Sequence, residues 1–261
     1  MKSILTYCTL RVGQLLQKNN PQIEISGTEK YLNLNEEMIN YMQTNFYNTA
    51  PIPNALGLSR ESCKDTSAFV RKEIGDDIDS GASLVFTKKN INNTLSIVGC
   101  FLNNIWTRNT EYEIVGANAK VWHDAAAEIA MNHPNKTVQH LIWRKLQFLH
   151  IYDLGQVMLN QMPDKKFALY LGRGYANEEV RQSNIMDEGF SIILNNWDTK
   201  DCIIYALTTY SKMEPYIIKR LNSPSMVDEV KYEEEMLELD GVRCFKPCEQ
   251  LGGMKFFVVV N

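Results

Sequence analysis

The stretch from Lys165 to Trp197 changes its hydrophobic pattern part-way along, and this change constrains the fold more than any other feature of the sequence. Phe167 to Tyr175 is a short apolar run bounded by polar residues, which is typical of a buried strand. From Glu178 onward the apolar residues recur at helical spacing and share one face: Ile185, Phe190, Ile193 and Leu194. The pattern therefore predicts a strand that runs through a polar loop into a helix.

A helix that begins after such a loop has unpaired backbone N–H groups in its first turn, and its dipole favours negative charge there. This corner can therefore seat a phosphate group. The loop resembles the acyl-CoA-binding loop of the GNAT N-acetyltransferase superfamily. The residues that match that loop are Arg181, Gln182, Ser183, Asn184, Ile185 and Met186. The resemblance implies acetyl-CoA as a co-substrate, with its pyrophosphate on this loop.

The loop departs from the family's pattern because Gln182 and Asn184 stand where the family usually has glycines. Glycine lets the backbone approach a phosphate closely and adopt a positive φ, and asparagine is the residue that best replaces it in that conformation. We therefore expect weaker phosphate binding than in a relative with glycines. An ordinary strand-turn-helix corner is the alternative interpretation of this segment.

A second resemblance, independent of the loop, lies in two earlier apolar runs. Ala82 to Thr87 and Leu95 to Trp106 are separated by a turn-forming segment, which predicts a β-hairpin. Ser80-Gly-Ala-Ser-Leu-Val and Ile97-Val-Gly-Cys-Phe-Leu-Asn resemble the second and third strands of the arylalkylamine N-acetyltransferases. The chain is most similar to the invertebrate arylalkylamine (dopamine) N-acetyltransferase-like branch, and the resemblance extends over roughly residues 30–260.

The other elements are predicted from periodicity and from turn residues. Tyr47 to Pro53 is expected to be an extended break, since prolines force extended backbone on the residues before them. Strands are expected over Gln22–Ser26, Cys202–Leu207, Met226–Tyr232 and Lys255–Val260, and helices over Leu34–Phe46, Ser59–Ile78, Asn118–Met131, Lys136–Tyr152 and Tyr210–Leu221. This order resembles the GNAT topology, which implies an α/β fold with a mixed, mostly antiparallel central sheet, splayed central strands and helices on both faces. One domain over residues 1–261 is expected.

Acyl transfer from a thioester to an amine needs a deprotonated amine, a donor that polarises the carbonyl and a proton for the departing thiolate. The resemblance implies that backbone N–H groups of Tyr175 and Ala176 serve the carbonyl. In the invertebrate enzymes a Glu-Pro-Leu elbow lines the amine pocket and supplies the base, and its match here is Ala50, Pro51 and Ile52. An alanine cannot accept a proton.

The resemblance also implies a hydroxyl relay after the fifth strand. Ser211 matches one of its two serines, while Glu214 or Pro215 falls at the position of the other. Two functions are therefore considered. In the first, the protein is an acetyl-CoA-dependent N-acetyltransferase of a small arylalkylamine, with Glu214 or water as the base. In the second, it is a catalytically degenerate relative that binds acyl-CoA or a partner without turnover.

Composition excludes several other classes of function. A net charge of −4 without a basic patch argues against nucleic-acid binding. No run approaches the roughly 18 apolar residues that a membrane span needs. The four histidines lack the spacing of a metalloprotease helix, so no metal is expected. The six cysteines form no C-x-x-C pair and are interpreted as reduced thiols of a cytoplasmic, monomeric protein.

Overall fold

The structure, a computed structural model, describes most of the chain after the first 22 residues. The described residues are 23–56, 67–114, 119–132, 138–182, 185–197, 200–209, 211–222, 224–233, 238–239, 242–243 and 245–259. The predictions for Ser59, Ser183 and Asn184 fall outside these ranges.

The described strands form a mixed sheet that is mostly antiparallel, as predicted. Seven of them lie in the order β1-β2-β3-β4-β5-β9-β6, and β4 and β5 are its parallel pair, while β7 and β8 form a separate two-stranded ladder. The strands are β1 (Ile23–Gly27), β2 (Leu84–Lys89), β3 (Leu95–Thr107), β4 (Phe167–Ala176), β5 (Cys202–Thr208), β6 (Ser225–Lys231), β7 (Glu238–Leu239), β8 (Val242–Arg243) and β9 (Gly253–Val259).

Helices cover both faces of this sheet, which is also as predicted. They are α1 (Asn35–Thr49), α2 (Pro51–Ala55), α3 (Ser67–Asp79), α4 (Ala119–Asn132), α5 (Val138–Gln161), α6 (Glu178–Gln182), α7 (Ile185–Asn196) and α8 (Glu214–Arg220). Short 3₁₀ helices lie at Thr28–Leu34, Ser211–Met213 and Lys246–Leu251. In the described part of the chain, no helix is both long enough and apolar enough to cross a membrane.

The two faces are built from alternate residues of the same strands, and β5 shows this most clearly. Ile204 and Ala206 belong to the core formed with α7 and α8, whereas Ile203 and Tyr205 belong to the core formed with α4 and α5. All seven residues of β5 are buried. A strand covered on both faces reads in sequence as an uninterrupted apolar run, which is how β5 could be predicted.

The structure differs from the helix prediction most at the end of α5 and at the elbow between α1 and α2. The helix expected to end at Tyr152 continues to Gln161, since the polar residues that follow are paired inside the protein: Asp153 accepts a hydrogen bond from the Tyr112 hydroxyl at 2.5 Å. The predicted break at Tyr47 to Pro53 reduces to Ala50, which is extended, and α2 begins at Pro51. Proline fits the first helical position because the N–H it lacks has no partner there.

The feature of the sheet that creates a candidate site is the separation of β4 from β5. Their pairing begins at Phe167 opposite Cys202 and ends at Leu171 opposite Ala206, although β4 continues to Ala176. From Arg173 onward, β4 is paired with β3 alone among the described strands. The central strands therefore splay apart, as predicted, and leave one edge of β4 open.

A β-bulge at Gly172 lies at the point of separation. Leu102 is paired with Arg173 and Asn103 with Leu171, so Gly172 is the extra residue on β4. A Cβ atom on Gly172 would lie 2.5 Å from the Leu102 carbonyl oxygen, so the backbone approach requires glycine. The buried Asn103 Oδ1 accepts the Gly172 N–H at 3.3 Å and so satisfies a group that the ladder leaves unpaired.

We predict that Gly172→Ala destabilises the protein by about 1–3 kcal/mol, because the backbone at Leu102 must move to admit the methyl group. Gly75→Ala is the matched control: Gly75 lies inside α3 with no atom within 4 Å of an added Cβ, so alanine there should stabilise by up to about 1 kcal/mol. Urea denaturation of both variants measures the difference. Equal stability of the two variants would contradict the close approach at Gly172.

Candidate active site

The open edge of β4 offers backbone N–H groups to the gap between the strands. The Asn177 N–H donates to the Val98 carbonyl at 2.8 Å, on the β3 side. Because N–H groups point to alternate sides along an antiparallel ladder, those of Ala176 and Gly174 point away from β3 and into the gap. Of the two predicted carbonyl donors, the Ala176 amide faces the gap and the Tyr175 amide faces β3.

The end of β4 is held in place by Asn177 and Tyr41. The Asn177 carbonyl accepts the N–H groups of Val180 and Arg181 at 3.1 Å, which begins α6, and its side-chain oxygen accepts the Tyr41 hydroxyl at 2.7 Å. The Tyr41 ring meets the Tyr175 ring edge-on at 5.9 Å between centroids. Tyr175 therefore contributes to the site by fixing the strand through its side chain.

The predicted phosphate loop spans the end of α6 and the start of α7. Arg181 is exposed in the last turn of α6, and Met186 lies in the first turn of α7. The Met186 methyl group packs against β4, since a Cβ on Gly174 would lie 3.2 Å from it. The side chains of Gln182 and Ile185 are outside the described part of the structure. Met186, in the first turn of α7, thus lies beside the open part of β4.

Acidic side chains already occupy the start of α7. Asp187 and Glu188 lie in its first turn, where they interact favourably with the helix dipole. Asp187 forms an ion pair with Arg220 of α8, and the Arg220 guanidinium lies 4.7 Å from the centroid of the Tyr216 ring. A phosphate at this corner would compete with these carboxylates, so the positive charge of Arg181 matters more here than at a neutral helix start.

The elbow residues Ala50, Pro51 and Ile52 lie between α1 and α2. Ile52 is only 1% exposed and packs in the core that also holds Leu207 at the end of β5 and Leu251. The elbow therefore lies on the face of the sheet that carries α5, near the end of β5. Ala50 places no ionisable group there.

The two predicted relay residues lie after β5. Ser211 is exposed in the 3₁₀ turn that precedes α8, and Glu214 is the first residue of α8. The Glu214 carboxylate accepts a hydrogen bond from Lys255 at 2.9 Å, which raises the pKa of Lys255. Lys255 is paired with Thr208 across β5 and β9. Glu214 would lose the charge of this ion pair if it accepted a proton.

Sequence reasoning missed a buried ionic cluster next to the bulge, formed by Arg173, Glu73 and Asp77. The Arg173 guanidinium lies 3.2 Å from the Glu73 carboxylate and also pairs with Asp77. The Asn104 amide donates to the other Asp77 oxygen at 3.0 Å. The three charged side chains are 12%, 10% and 8% exposed, respectively. Two carboxylates thus contact one guanidinium in this cluster.

Two signals in the sequence could have indicated this cluster. Arg173 is the one charged residue in an otherwise uncharged strand, Phe167–Ala176, and Glu73 and Asp77 lie four residues apart on one face of α3. Burial raises the pKa of Asp77 above its usual value, although the charge of Arg173 and the hydrogen bond from Asn104 oppose the shift. A cavity of about 20 Å³ borders the cluster and is also lined by Tyr170 and Gln147. This volume suffices for one water molecule.

Comparison with solved structures identifies the architecture. The chain is similar to Drosophila melanogaster polyamine N-acetyltransferase, an enzyme that catalyses the formation of N-acetylagmatine, at 12% identity over 92% of this chain and 100% of that chain, with a TM-score of 0.57. It is also similar to Aedes aegypti arylalkylamine N-acetyltransferase 2 (11% identity, 91% and 98% coverage, TM-score 0.55). A mosquito arylalkylamine N-acetyltransferase-like protein, 5b, gives 11% identity, 92% and 100% coverage and a TM-score of 0.60.

The protein has the GNAT fold. The fold expected from the loop and hairpin motifs is thereby confirmed. No family model and no curated protein matches the sequence. At the open edge of β4 the Gly174 and Ala176 amides face the gap, and Gly174 adds no side chain to it.

We predict that Arg173→Met costs about 3–5 kcal/mol of stability, because it removes the guanidinium that contacts two buried carboxylates. Glu73→Gln should cost much less, because it leaves a neutral Arg173–Asp77 pair. The two unfolding free energies, measured in urea, test whether Arg173 stabilises both carboxylates, and a cost for Glu73→Gln equal to that of Arg173→Met would contradict this role.

The stability lost in Arg173→Met should also shrink as the pH falls. The Asp77 carboxyl group, whose pKa is raised in the folded state, binds its proton more tightly there than in the unfolded chain. The stability that this proton contributes is lost as the pH rises through the folded pKa and regained as the pH falls. Repeating the urea titration at a series of pH values gives the slope. A loss that is constant with pH would show that the variant acts through packing alone.

Proposed function

We propose that the protein is an acetyl-CoA-dependent N-acetyltransferase that acts on a small amine of the arylalkylamine class. The observation that carries this proposal is the separation of β4 from β5 at Leu171, which leaves the Gly174 and Ala176 amides directed into the gap. Solved structures with this fold include polyamine and arylalkylamine N-acetyltransferases, which supports an amine as the acceptor.

In this proposal the open edge of β4 performs the electrostatic part of the reaction. The Ala176 N–H donates to the thioester carbonyl, where negative charge develops as the amine attacks, and such fixed donors stabilise the transition state. Arg181 attracts the pyrophosphate at the corner of α6 and α7, and the backbone amides at the start of α7, from Ile185 and Met186, complete that contact. Binding and carbonyl polarisation thus depend mainly on the backbone.

The remaining residues supply the amine pocket and the proton transfers. Ala50, Pro51 and Ile52 line the pocket from the elbow, on the face opposite α7. The Ser211 hydroxyl donates a proton to the departing thiolate. Glu214 either holds the start of α8 through its hydrogen bond with Lys255 or accepts a proton when that hydrogen bond opens. Glu214 and water were the base candidates from the sequence.

A second function, binding of acyl-CoA without turnover, is favoured by one observation. Ala50 places no carboxylate at the elbow. Glu214, the acidic residue of the predicted relay, is already hydrogen-bonded to Lys255. A protein of this kind would keep the strand gap and lose the base. The two functions predict the same co-substrate affinity and different turnover.

We predict that acetyl-CoA raises the thermal midpoint of the protein, since a ligand at 100 times its dissociation constant stabilises by about 2.7 kcal/mol. Arg181→Ala should reduce the shift at a given ligand concentration, because it removes the cation of the phosphate loop. Lys72→Ala, which removes an exposed cation from α3, is the matched control and should leave the shift unchanged. The absence of any shift at millimolar acetyl-CoA would refute both functions.

The role of Glu214 is tested by comparison with Glu229, the second carboxylate near Lys255 at 3.6 Å. If Glu214 only anchors α8, Glu214→Gln and Glu229→Gln should change kcat/KM for phenethylamine by similar, small factors. If Glu214 is the base, its variant alone should lose roughly 10²-fold or more. Steady-state kinetics with acetyl-CoA separates the two roles, and we expect the first.

A further inference from the structure

The corner between β4 and α7 depends on contacts with other parts of the chain for its position. From Arg173 to its end at Ala176, β4 is paired with β3 alone among the described strands. The helix that follows, α6, has five residues. Isolated helices shorter than about 12 residues are marginal in water, so tertiary contacts must fix where α6 lies. Arg181, the cation of the proposed phosphate loop, is on this short helix.

Asn177 joins this corner to three other elements. Its N–H donates to the Val98 carbonyl at 2.8 Å, and its own carbonyl accepts the N–H groups of Val180 and Arg181 at 3.1 Å. An asparagine that directly precedes a helix commonly accepts a backbone N–H of that helix with its side chain. Here the side-chain oxygen accepts the hydroxyl of Tyr41, 136 residues earlier, at 2.7 Å. Asn177 thus connects β3, α6 and α1.

Tyr41 lies in a firmly packed part of α1. Its neighbours Met38 and Met42 are both 0% exposed. They belong to a core that α1 shares with α3, β2 and β3, and the rings of Tyr41 and Tyr175 pack against this core. The hydrogen bond to Asn177 therefore ties the corner to a buried helix face.

The Tyr41 hydroxyl also lies near the charge of Arg181. Burial raises the pKa of Tyr41 above its usual value, and the positive charge of Arg181 opposes this shift, so the two side chains are close enough to interact. With its pKa raised, the hydroxyl stays protonated and remains a donor at neutral pH. A further side-chain contact of α6, the ion pair of Lys88 with Glu179, is 32% and 39% exposed, and ion pairs so exposed contribute little.

We propose that Tyr41 is a positioning residue of the acyl-CoA site: its hydroxyl holds Asn177, and Asn177 holds the turn of α6 that presents Arg181 to the pyrophosphate. This inference rests on the proposed acetyl-CoA co-substrate. It adds a residue from α1, outside the loop that carries the family resemblance. Because α1 leads into the elbow at Ala50, one helix would support both the co-substrate corner and the proposed amine pocket.

The dissociation constant of acetyl-CoA, measured by calorimetry, tests this role. Tyr41→Phe removes the hydroxyl and keeps the ring that packs against Tyr175. Tyr112→Phe is the matched control, because it also removes a hydroxyl that donates to a side-chain oxygen, that of Asp153 on α5 at 2.5 Å. The thermal midpoint of each variant without ligand reports that the fold is intact.

We expect Tyr41→Phe to raise the dissociation constant by about 2- to 10-fold, the range that one hydrogen bond contributes, with the control unchanged. Asn177→Ser, whose side chain is one bond shorter and still suits the start of a helix, should raise it by a similar factor. The two changes together should cost no more than either alone, since both remove the same hydrogen bond.

The Arg181→Ala background separates positioning from a merely structural role. If Tyr41 acts by placing the Arg181 guanidinium, Tyr41→Phe should have no further effect on acetyl-CoA binding once that guanidinium is absent. A structural role predicts the same factor for Tyr41→Phe in both backgrounds, because a general loosening of the fold does not depend on Arg181.

Two results would overturn the role of Tyr41: an unchanged dissociation constant in Tyr41→Phe, or an equal factor in the wild-type and Arg181→Ala backgrounds. Wild-type protein that binds no acetyl-CoA at millimolar concentration would refute the proposed function, and the role of Tyr41 with it. Wild-type binding that Arg181→Ala weakens and Tyr41→Phe does not would refute the role of Tyr41 alone, so the two failures are distinguishable.

Discussion

The bulge at Gly172 is the constraint on which the arrangement of the site depends. The extra residue on β4 lies where its pairing with β5 ends, and beyond it the described strands leave an edge of backbone donors without ladder partners. Such an edge costs free energy unless its groups are satisfied, and the protein pairs the bulged amide with the buried Asn103 side chain. The open edge that remains is available to a ligand.

The same bulge determines where the buried charge lies. Arg173 follows Gly172 directly, and its side chain points to the face that carries α3, where Glu73 and Asp77 receive it. Asp77 is further fixed by Asn104, and its carbonyl oxygen accepts the Ser83 hydroxyl at 2.7 Å. Backbone geometry and electrostatics are therefore coupled through consecutive residues of one strand, so a change at either position affects the other.

Periodicity and turn residues predicted the strands of the central sheet and the longer helices, whereas the bulge and the ion pairs depend on contacts that periodicity does not encode. The run from Phe167 to Ala176 looks like one uninterrupted strand, and only the partner strand reveals that Gly172 is extra. Arg173 and Asp77 are 96 residues apart in sequence. The partnership of Glu214 with Lys255 likewise joins distant segments across the sheet. The expectation of one domain over residues 1–261 stays a prediction.

A backbone site and a side-chain base respond differently to sequence change, and this difference explains how a GNAT fold can be kept at 11–12% identity to solved relatives. The donors that face the strand gap are main-chain amides, so many substitutions along β4 preserve them as long as the bulge persists. A proton acceptor needs only a carboxylate within reach through water, and that can come from any element that borders the gap. In this chain the elbow carries Ala50. The elbow therefore has no ionisable group at Ala50, whereas the Gly174 and Ala176 amides face the gap whatever side chains surround them.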